Sequence, residues 1–541
     1  MKGISEREWV ILSKHVKPER AVVESSGYIK AQLLANRQAS HDALKSHLKD
    51  LLPPYDIPNI RQAVELIADY VRKGRRIVLF GDYDADGITG TAILYQILKS
   101  AGSKVLPLLP SRKKGYGLTK ELAIKIGRYA DLLITVDNGT NAVEELSLLN
   151  IPVVVLDHHN PSDMLPPAII VNPKLDSNGL KEFKGLSSSG LAFYLSALLK
   201  RELELDLDVR EYLHLACIGT VADVMPMNFL NRIIVSNGIR LLNHILKGGH
   251  GTPGLRLLME RYGIREVSSR DVAFYIAPRL NAPGRVAKPY TSLKLLIEKD
   301  EKRASELVER IHQLNQFRKH LSQNAFEEAL RQSQAQKDEN LVVVKLEDWA
   351  GGVAGIVAGK LSSLLEKPTV VLAIGKEHTI ASSRAPEGID LYQTIKPISH
   401  LFLRWGGHPS AVGFAIESQK IELFERLARE LFSNAQRMES KLYIDMPIPL
   451  SKIDRSLYNL IGELEPYGEG FPEPVFVSEP LELRLLEHGV DRMVLKAGDF
   501  MVVSWESSTN KKLKFPIKGK RVAYQIDRRG FKRITLVDVE V

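Results

Sequence analysis

Three aspartates stand at alternate positions in Gly81-Asp82-Tyr83-Asp84-Ala85-Asp86-Gly87, directly after the apolar run Arg76-Ile77-Val78-Leu79-Phe80. Like charges this close raise one another's pKa, so the loop calls for a counter-charge at neutral pH. For oxygen donors the usual counter-charge is a hard divalent cation such as Mg2+ or Mn2+. A calcium-binding EF-hand also opens on Asp-x-Asp-x-Asp-Gly, but it needs a bidentate Glu at its twelfth position. Counted from Asp82 that position is Ile93, and the preceding run reads as a strand, which excludes the EF-hand.

Further polar clusters close other apolar runs. Asp131-Leu132-Leu133-Ile134-Thr135-Val136 ends in Asp137-Asn138-Gly139-Thr140, and Pro152-Val153-Val154-Val155-Leu156 ends in Asp157-His158-His159-Asn160. A fourth acid, Asp223, interrupts the apolar segment Cys217-Ile218-Gly219-Thr220-Val221-Ala222-Asp223-Val224-Met225-Pro226. Any one of these residues alone reads as a cap or a structural pair. Together they read as a metal site.

The elements that must position them follow from pattern. Unbroken Val/Ile/Leu runs separated by helical stretches such as Ala142 to Leu149 predict parallel strands buried on both faces. The carboxyl ends of such strands are where open α/β sheets carry their sites. Ser187-Ser188-Ser189-Gly190 predicts an N-cap for a helix over Leu191 to Leu199. Gly248-Gly249-His250 reads as a loop between helices. From Lys299 to Ala335 no Pro or Gly occurs, and Leu307, Ile311, Leu314, Phe317, Leu321 and Phe326 recur at helical spacing, which predicts one long helix joining two lobes. A second α/β lobe begins at the strand Leu341 to Leu346. The last hundred residues alternate in short strands, such as Arg492 to Lys496 and Met501 to Trp505, which predicts a small β-barrel.

The set GDYDADG, VDNGT, LDHH and GTVADVMP resembles the motifs of the DHH phosphoesterase superfamily. Three later segments narrow the resemblance to the RecJ family of single-strand-specific exonucleases: Ala277-Pro278-Arg279-Leu280-Asn281-Ala282-Pro283-Gly284-Arg285, Trp405-Gly406-Gly407-His408-Pro409-Ser410-Ala411-Val412-Gly413-Phe414, and Tyr467-Gly468-Glu469-Gly470-Phe471-Pro472-Glu473-Pro474. Leu33-Leu34-Ala35-Asn36-Arg37 fits the same family, and the likeness covers nearly the whole chain. Two positions depart from it: Ala350 stands where the family often has His after Trp349, and Phe471 where it usually has Asn.

The resemblance implies an α/β fold class: a DHH-type parallel-sheet domain and a second α/β lobe joined by a long helix, with a C-terminal OB-fold β-barrel. The corresponding segments are a helical lead-in (1–54), the catalytic domain (55–230), a helical region with the connecting helix (231–335), a substrate-binding domain (336–440) and a nucleic-acid-binding domain (441–541). It also implies two divalent cations, Mn2+ or Mg2+, about 4 Å apart. Asp137 bridges them, Asp84 holds one, and Asp86, His158 and Asp223 hold the other, with Asp82 ligating directly or through water. His159 faces a substrate phosphate and Asp157 orients the imidazoles. Arg279, Asn281, Arg285, Arg384, Gly406, Gly407 and His408 are the expected substrate contacts, the guanidinium groups because they match phosphate bidentately. The expected reaction is 5′→3′ hydrolysis of single-stranded DNA to 5′-mononucleotides in repair and recombination. A helicase and a single-strand-binding protein are expected partners, and a monomer the expected state.

Composition agrees with this picture. The 541 residues carry a net charge of +9 despite the acidic clusters, which suits a polyanionic partner. Lys511, Lys512, Lys514, Lys518, Lys520, Arg521, Arg528, Arg529, Lys532 and Arg533 interleave with Trp505, Phe515, Tyr524 and Phe531 near the end, the ingredients of single-strand binding. A single cysteine, Cys217, excludes a disulfide framework, and no apolar signal core or membrane-length run is seen, so a cytoplasmic location without membrane attachment is expected. A DHH phosphodiesterase of short oligonucleotides would lack the basic barrel. A non-catalytic replisome scaffold of this fold would have lost metal ligands, and an inorganic pyrophosphatase has no use for the barrel.

Overall fold

The apolar runs become the central strands of one parallel sheet, as their two-sided burial requires. In the computed structural model, which describes residues 2–39, 44, 47–110, 117–433, 440–489, 492–505, 510 and 512–541, this sheet comprises β1 (Arg76–Gly81), β2 (Lys104–Leu108), β3 (Leu132–Val136), β4 (Val153–Leu156) and β5 (Ile169–Val171). Their order is β2-β1-β3-β4-β5, so the chain changes direction between β1 and β3. Gly81 pairs with Val136, Val136 with Leu156, and Leu156 with Val171, so the central strands end in one row. Ile77 to Phe80, Leu132 to Ile134 and Val154 to Leu156 are fully buried.

The sheet belongs to the first of two units, residues 41–317 with 465–472. Its helices include α1 (Ala85–Ser100), α2 (Ser188–Glu202), α3 (Leu213–Ala222), α4 (Phe229–Leu246) and α5 (Ala277–Val286). Ser187 caps α2 as its sequence predicts, its Oγ accepting from Gly190 N at 3.1 Å. Cys217 is fully buried in α3, and burial pushes its thiol pKa up, as befits a small apolar filler. His250 lies in an exposed Gly-rich turn. The long helix α6 (Glu301–Gln334) passes from this unit into the second. Ala304, Val308, Ile311 and Leu314 are buried along it, whereas Phe317, read as part of the same stripe, is exposed at the boundary.

The second unit holds residues 1–40, 318–464 and 473–541. It contains a mixed five-stranded sheet made of β6 (Val342–Glu347), β7 (Thr369–Ile374), β8 (His378–Arg384), β9 (Phe402–His408) and β10 (Ala411–Glu417), in the order β9-β10-β8-β7-β6. Beyond it an eight-stranded sheet runs from Met446 to Val539 and curls into a half-barrel. Tyr524, Phe476, Val502 and Ile534 fill its interior, and the Tyr524 hydroxyl donates to Ile448 O at 2.7 Å. Tyr524 is thus core and offers no face to a base. Trp505 and Phe531 are 40% and 44% exposed, each beside an arginine, Arg529 and Arg455 respectively. Lys511 lies outside the described residues. Among the rest, Lys512, Lys518, Arg521, Arg529, Lys532 and Arg533 stand within 4.0 Å of carboxylates, so the basic strip is largely paired within the unit. No described helix is long and apolar enough to cross a membrane.

The start of the chain is not purely helical: Glu8–Ile11 pairs in parallel with Lys441–Ile444. The segment Leu33 to Arg37 fastens this junction. Arg37 donates from Nη1 to Asp445 Oδ1 at 2.8 Å and from Nη2 to Oδ2 at 3.1 Å, while Asn36 Nδ2 donates to Oδ1 and Val475 N to Oδ2. Both charged side chains are almost wholly buried. Removing one member of such a pair strands the other charge, so Arg37→Ala should lower the stability of this unit by about 3–5 kcal/mol. Chemical denaturation checks this, and a loss under about 1 kcal/mol would show that the pair is dispensable.

Candidate metal centre

Strand register sets the first three carboxylates. Asp82 N donates to Val136 O, Asp137 N to Leu156 O and Asp157 N to Val171 O, so each aspartate is the residue just beyond its strand. At Asp137 the backbone takes a left-handed φ of 65°, which a short polar side chain tolerates. The turn is locked by Thr135 Oγ1 donating to Asn138 O at 2.7 Å and Asn138 Nδ2 to Val136 O at 2.9 Å. Asp84 caps α1, its Oδ1 accepting from Asp86 N and Gly87 N, both at 3.1 Å. Asp86 then lies in the first turn of that helix.

The structure gathers these groups. Asp82, Asp84 and Asp137 bring one ligand atom each within 4.8 Å of one another, and so do Asp86, His158 and Asp223. The two sets meet at His158, whose Nε2 is 3.3 Å from Asp137 Oδ1 and 3.3 Å from Asp223 Oδ2. A third set, Asp137, His158 and His159, overlaps both. Asp157 faces the protein instead. Its Oδ1 accepts from His158 N at 2.8 Å and meets His159 Nδ1 at 2.7 Å, and its Oδ2 accepts from Thr140 N at 3.0 Å. It therefore fixes the ring of His159 but only the backbone of His158.

Two further elements complete the cluster. The amino end of α2 gives Ser188 N and Ser189 N to the two oxygens of Asp86, at 2.7 and 3.0 Å, and Ser188 Oγ to Asp137 Oδ1 at 3.0 Å. Helix α3 delivers Asp223 at its carboxyl end, where the helix dipole disfavours an anion. Its Gly219 has no room for a side chain, since a Cβ would stand 2.3 Å from Asp86 Oδ1. The chain leaves α3 through Val224 at φ 53°, with Val224 N donating to Val221 O and Met225 N to Thr220 O. This is a Schellman turn with valine where glycine is usual, a strained choice beside a ligand.

Residues 465–472 pack on this turn. Met227 N donates to Glu469 O at 2.7 Å, and Gly468 lies so close that a Cβ would meet Met227 Cγ at 2.8 Å. Buried Arg232 donates to Pro466 O at 2.8 Å and lies 4.1 Å over the Phe471 ring. Phe471, one of the two departures from the family pattern, thus serves as a cation–π partner. The other departure, Ala350, is fully buried, where a larger side chain needs added room.

The remaining expected residues are more dispersed. Arg279 is buried, its Nη1 donates to Phe274 O at 2.7 Å, its guanidinium lies 4.2 Å over the Tyr262 ring, and its Nε has no hydrogen-bond partner among the described residues. Asn281 Oδ1 accepts from Ala85 N at 2.7 Å, tying α5 to the metal loop, and Arg285 is half-buried on the same helix. Gly406, Gly407, His408 and Arg384 lie in the second unit, with Arg384 and His408 both paired to Ala411 from adjoining strands. Sequence reasoning passed over Ser188, Ser189, Asn172 and Lys174. Asn172 ends a fourth apolar run, Ile169 to Val171, and its Nδ2 donates to Thr140 Oγ1 and His159 O at 3.1 and 2.8 Å. That run has the signature of the other three but is shorter.

Electrostatics mark the cluster as a cation site. Burial first, then the charges of Asp84, Asp86, Asp223 and Asp82, push the Asp137 carboxyl well above the ordinary range. Burial and Asp84 raise Asp86 to about 6 against the hydrogen bonds from Ser189 and Ser188. Burial with Asp86 and Asp84 raises Asp223 to about 8, opposed by His159 and Lys174. For Asp157 burial is outweighed by the hydrogen bond and charge of His159, which hold it well below the usual carboxylate range. Burial likewise opposes protonation of His159, but Asp157 prevails and lifts it to about 9. Carboxylates are the donor chemistry of Mg2+ and Mn2+ sites, and ions there relieve the repulsion.

Comparison with known proteins agrees with this geometry. The chain matches the DHH family N-terminal domain over residues 76–220, the DHHA1 domain over 338–434 and the RecJ OB domain over 444–539. It is 34% identical over 469 residues to the single-stranded-DNA-specific exonuclease RecJ of Thermus thermophilus, covering 85% of this chain and 68% of that one. To the RecJ of Escherichia coli it is 32% identical over 471 residues, covering 81% and 80%. The crystal structure of Thermus thermophilus RecJ in complex with Mn2+ superposes with a TM-score of 0.84 at 29% identity, over 99% of this chain and 79% of that one. The same protein with Mg2+ gives a TM-score of 0.78. With this coverage and identity, the chain belongs to the RecJ family.

Proposed function

We propose that this protein is a single-stranded-DNA-specific exonuclease of the DHH class that works from the 5′ end and releases 5′-mononucleotides. The observation that carries the reading is the meeting of two donor sets at Asp137 and His158. In this reading Asp82, Asp84 and Asp137 hold one divalent cation, Mn2+ or Mg2+, and Asp86, His158 and Asp223 hold another, with Asp137 shared. A bound pair of such ions lowers the pKa of a water, aligns it with phosphorus and stabilises the leaving oxygen. The completeness of the donor set argues against a non-catalytic scaffold.

The chain's own residues do the rest. Asp157 holds His159 as the imidazolium, one proton on Nδ1 toward Asp157 and the other on Nε2, so the half-exposed outer edge of the ring donates to a phosphate oxygen. Asp157 serves by this orientation, not as a ligand. In the second unit, Arg384 and His408 flank Ala411, and Gly406 and Gly407 allow backbone approach to a phosphate. Residues 55–230 form the catalytic domain, 336–440 a substrate-binding domain and 441–541 a domain that grips single strands. The ion pairs of the last must open to do so, and exposed pairs are worth only about 0–1 kcal/mol. The enzyme acts as a monomer on strands supplied by a helicase or a single-strand-binding protein.

Digestion of 5′- and 3′-labelled single strands with Mn2+ or Mg2+ tests the reaction. The 5′ label should appear at once as a mononucleotide, and Asp137→Asn should lose more than about a hundredfold in rate, beyond what outer partners of a metal cost. Immediate release of the 3′ label would contradict the polarity, and near-normal turnover of Asp137→Asn would remove it from the shared position.

The raised carboxyls give a second test. A group whose folded pKa is raised adds stability below its ordinary value of about 4, and that contribution is lost as pH rises through 6 to 8, the folded values of Asp86 and Asp223. Cations bind the deprotonated cluster and displace its protons. The rise in melting temperature on adding Mg2+ should therefore be larger at pH 8 than at pH 5.5. An equal or smaller rise at pH 8 would contradict this electrostatic account.

A further inference from the structure

Ser188 touches both donor sets through hydrogen bonds. Its backbone N donates to Asp86 Oδ2 at 2.7 Å, and its Oγ donates to Asp137 Oδ1 at 3.0 Å. It is fully buried, as is its neighbour Ser189, whose N holds the other oxygen of Asp86 at 3.0 Å. The helix does not need this hydroxyl for capping, because Ser187 Oγ already takes Gly190 N. A buried hydroxyl at the first helical position has its proton to give, and here that proton goes to a carboxylate.

We infer that Ser188 is a positioning residue of the metal centre: its hydroxyl aims the Asp137 carboxylate, and its amide anchors Asp86, so that one rigid helix end fixes the spacing between the two donor sets. The inference rests on the two-cation reading above and adds a residue to it. Asp137 sits on a turn with left-handed backbone and lies 3.3 Å from His158 Nε2 through the same Oδ1. A carboxylate on so short a stem can rotate about two side-chain torsions. The hydroxyl occupies one acceptor direction of Oδ1 and leaves the rest of the group facing the donor sets. Without it, Asp137 loses one of the contacts that aim its carboxylate, and the cost falls on cation binding more than on the fold.

The test measures Mn2+ uptake by calorimetry and the electron paramagnetic resonance of the bound ions, both on the full chain without substrate. Ser188→Ala removes the hydroxyl and keeps both amides. Ser188→Cys keeps the shape with a weaker donor. Ser196→Ala makes the same change two turns along the same helix at another fully buried serine. Partners that orient metal ligands typically alter affinity ten- to a hundredfold. Ser188→Ala should accordingly weaken Mn2+ binding roughly tenfold or more and change the resonance of the ion pair, with Ser188→Cys intermediate and Ser196→Ala like the wild type. The metal-free melting temperatures should stay close together. Wild-type Mn2+ affinity in Ser188→Ala, or equal weakening in Ser196→Ala, would overturn the inference while leaving the two-cation reading in place. Uptake of fewer than two Mn2+ by the wild type would overturn both.

Discussion

Carboxylates crowded into a dry place repel one another, and no amount of good packing removes that cost. The sheet edge described here concentrates Asp82, Asp86, Asp137 and Asp157 with little or no solvent exposure and adds Asp84 and Asp223 beside them. Burial raises the Asp137, Asp86 and Asp223 carboxyls. A protein keeps such an arrangement only when positive charge is brought to it. Much of the first unit can be understood as a device for holding these acids in place until that charge arrives.

The device works with ordinary parts. Parallel register puts Asp82, Asp137 and Asp157 in one row, on either side of the point where strand order reverses. Two helix amino ends, those of α1 and α2, supply amides to Asp84 and Asp86. Asp157 is satisfied entirely by protein donors and stays ionised, which frees it to hold His159. Asp223 has the opposite setting, at a helix carboxyl end on a strained turn, and a cation offsets that setting too. That turn is steadied by residues 465–472, a segment remote in sequence that Arg232 grips by hydrogen bonds and a cation–π contact.

Much of this was legible in the sequence because it is local. Apolar runs closed by polar clusters signal strand ends, and three acids at alternate positions signal an ion. The long helix followed from the absence of Pro and Gly between Lys299 and Ala335. What was not legible depends on contacts between distant segments. Arg279 reads as a phosphate clamp, and only the fold shows the Tyr262 ring under its guanidinium and the Phe274 carbonyl at its Nη1. Ser188 looks like part of a cap, and only the fold brings Asp137 to its hydroxyl. Tyr524 lies on a strand flanked by Arg521 and Arg528, but periodicity gives two faces without saying which one is core. The pairing of Glu8–Ile11 with Lys441–Ile444 has no local signal at all.

The central claim is that the repulsion at this sheet edge is resolved by two cations sharing Asp137. The direct measurement is anomalous diffraction from crystals grown with Mn2+, recorded on either side of the manganese edge. Two peaks are predicted, one among Asp82, Asp84 and Asp137 and one among Asp86, His158 and Asp223, both within bonding distance of the Asp137 carboxylate. A single peak, or two peaks that do not share Asp137, would contradict the account.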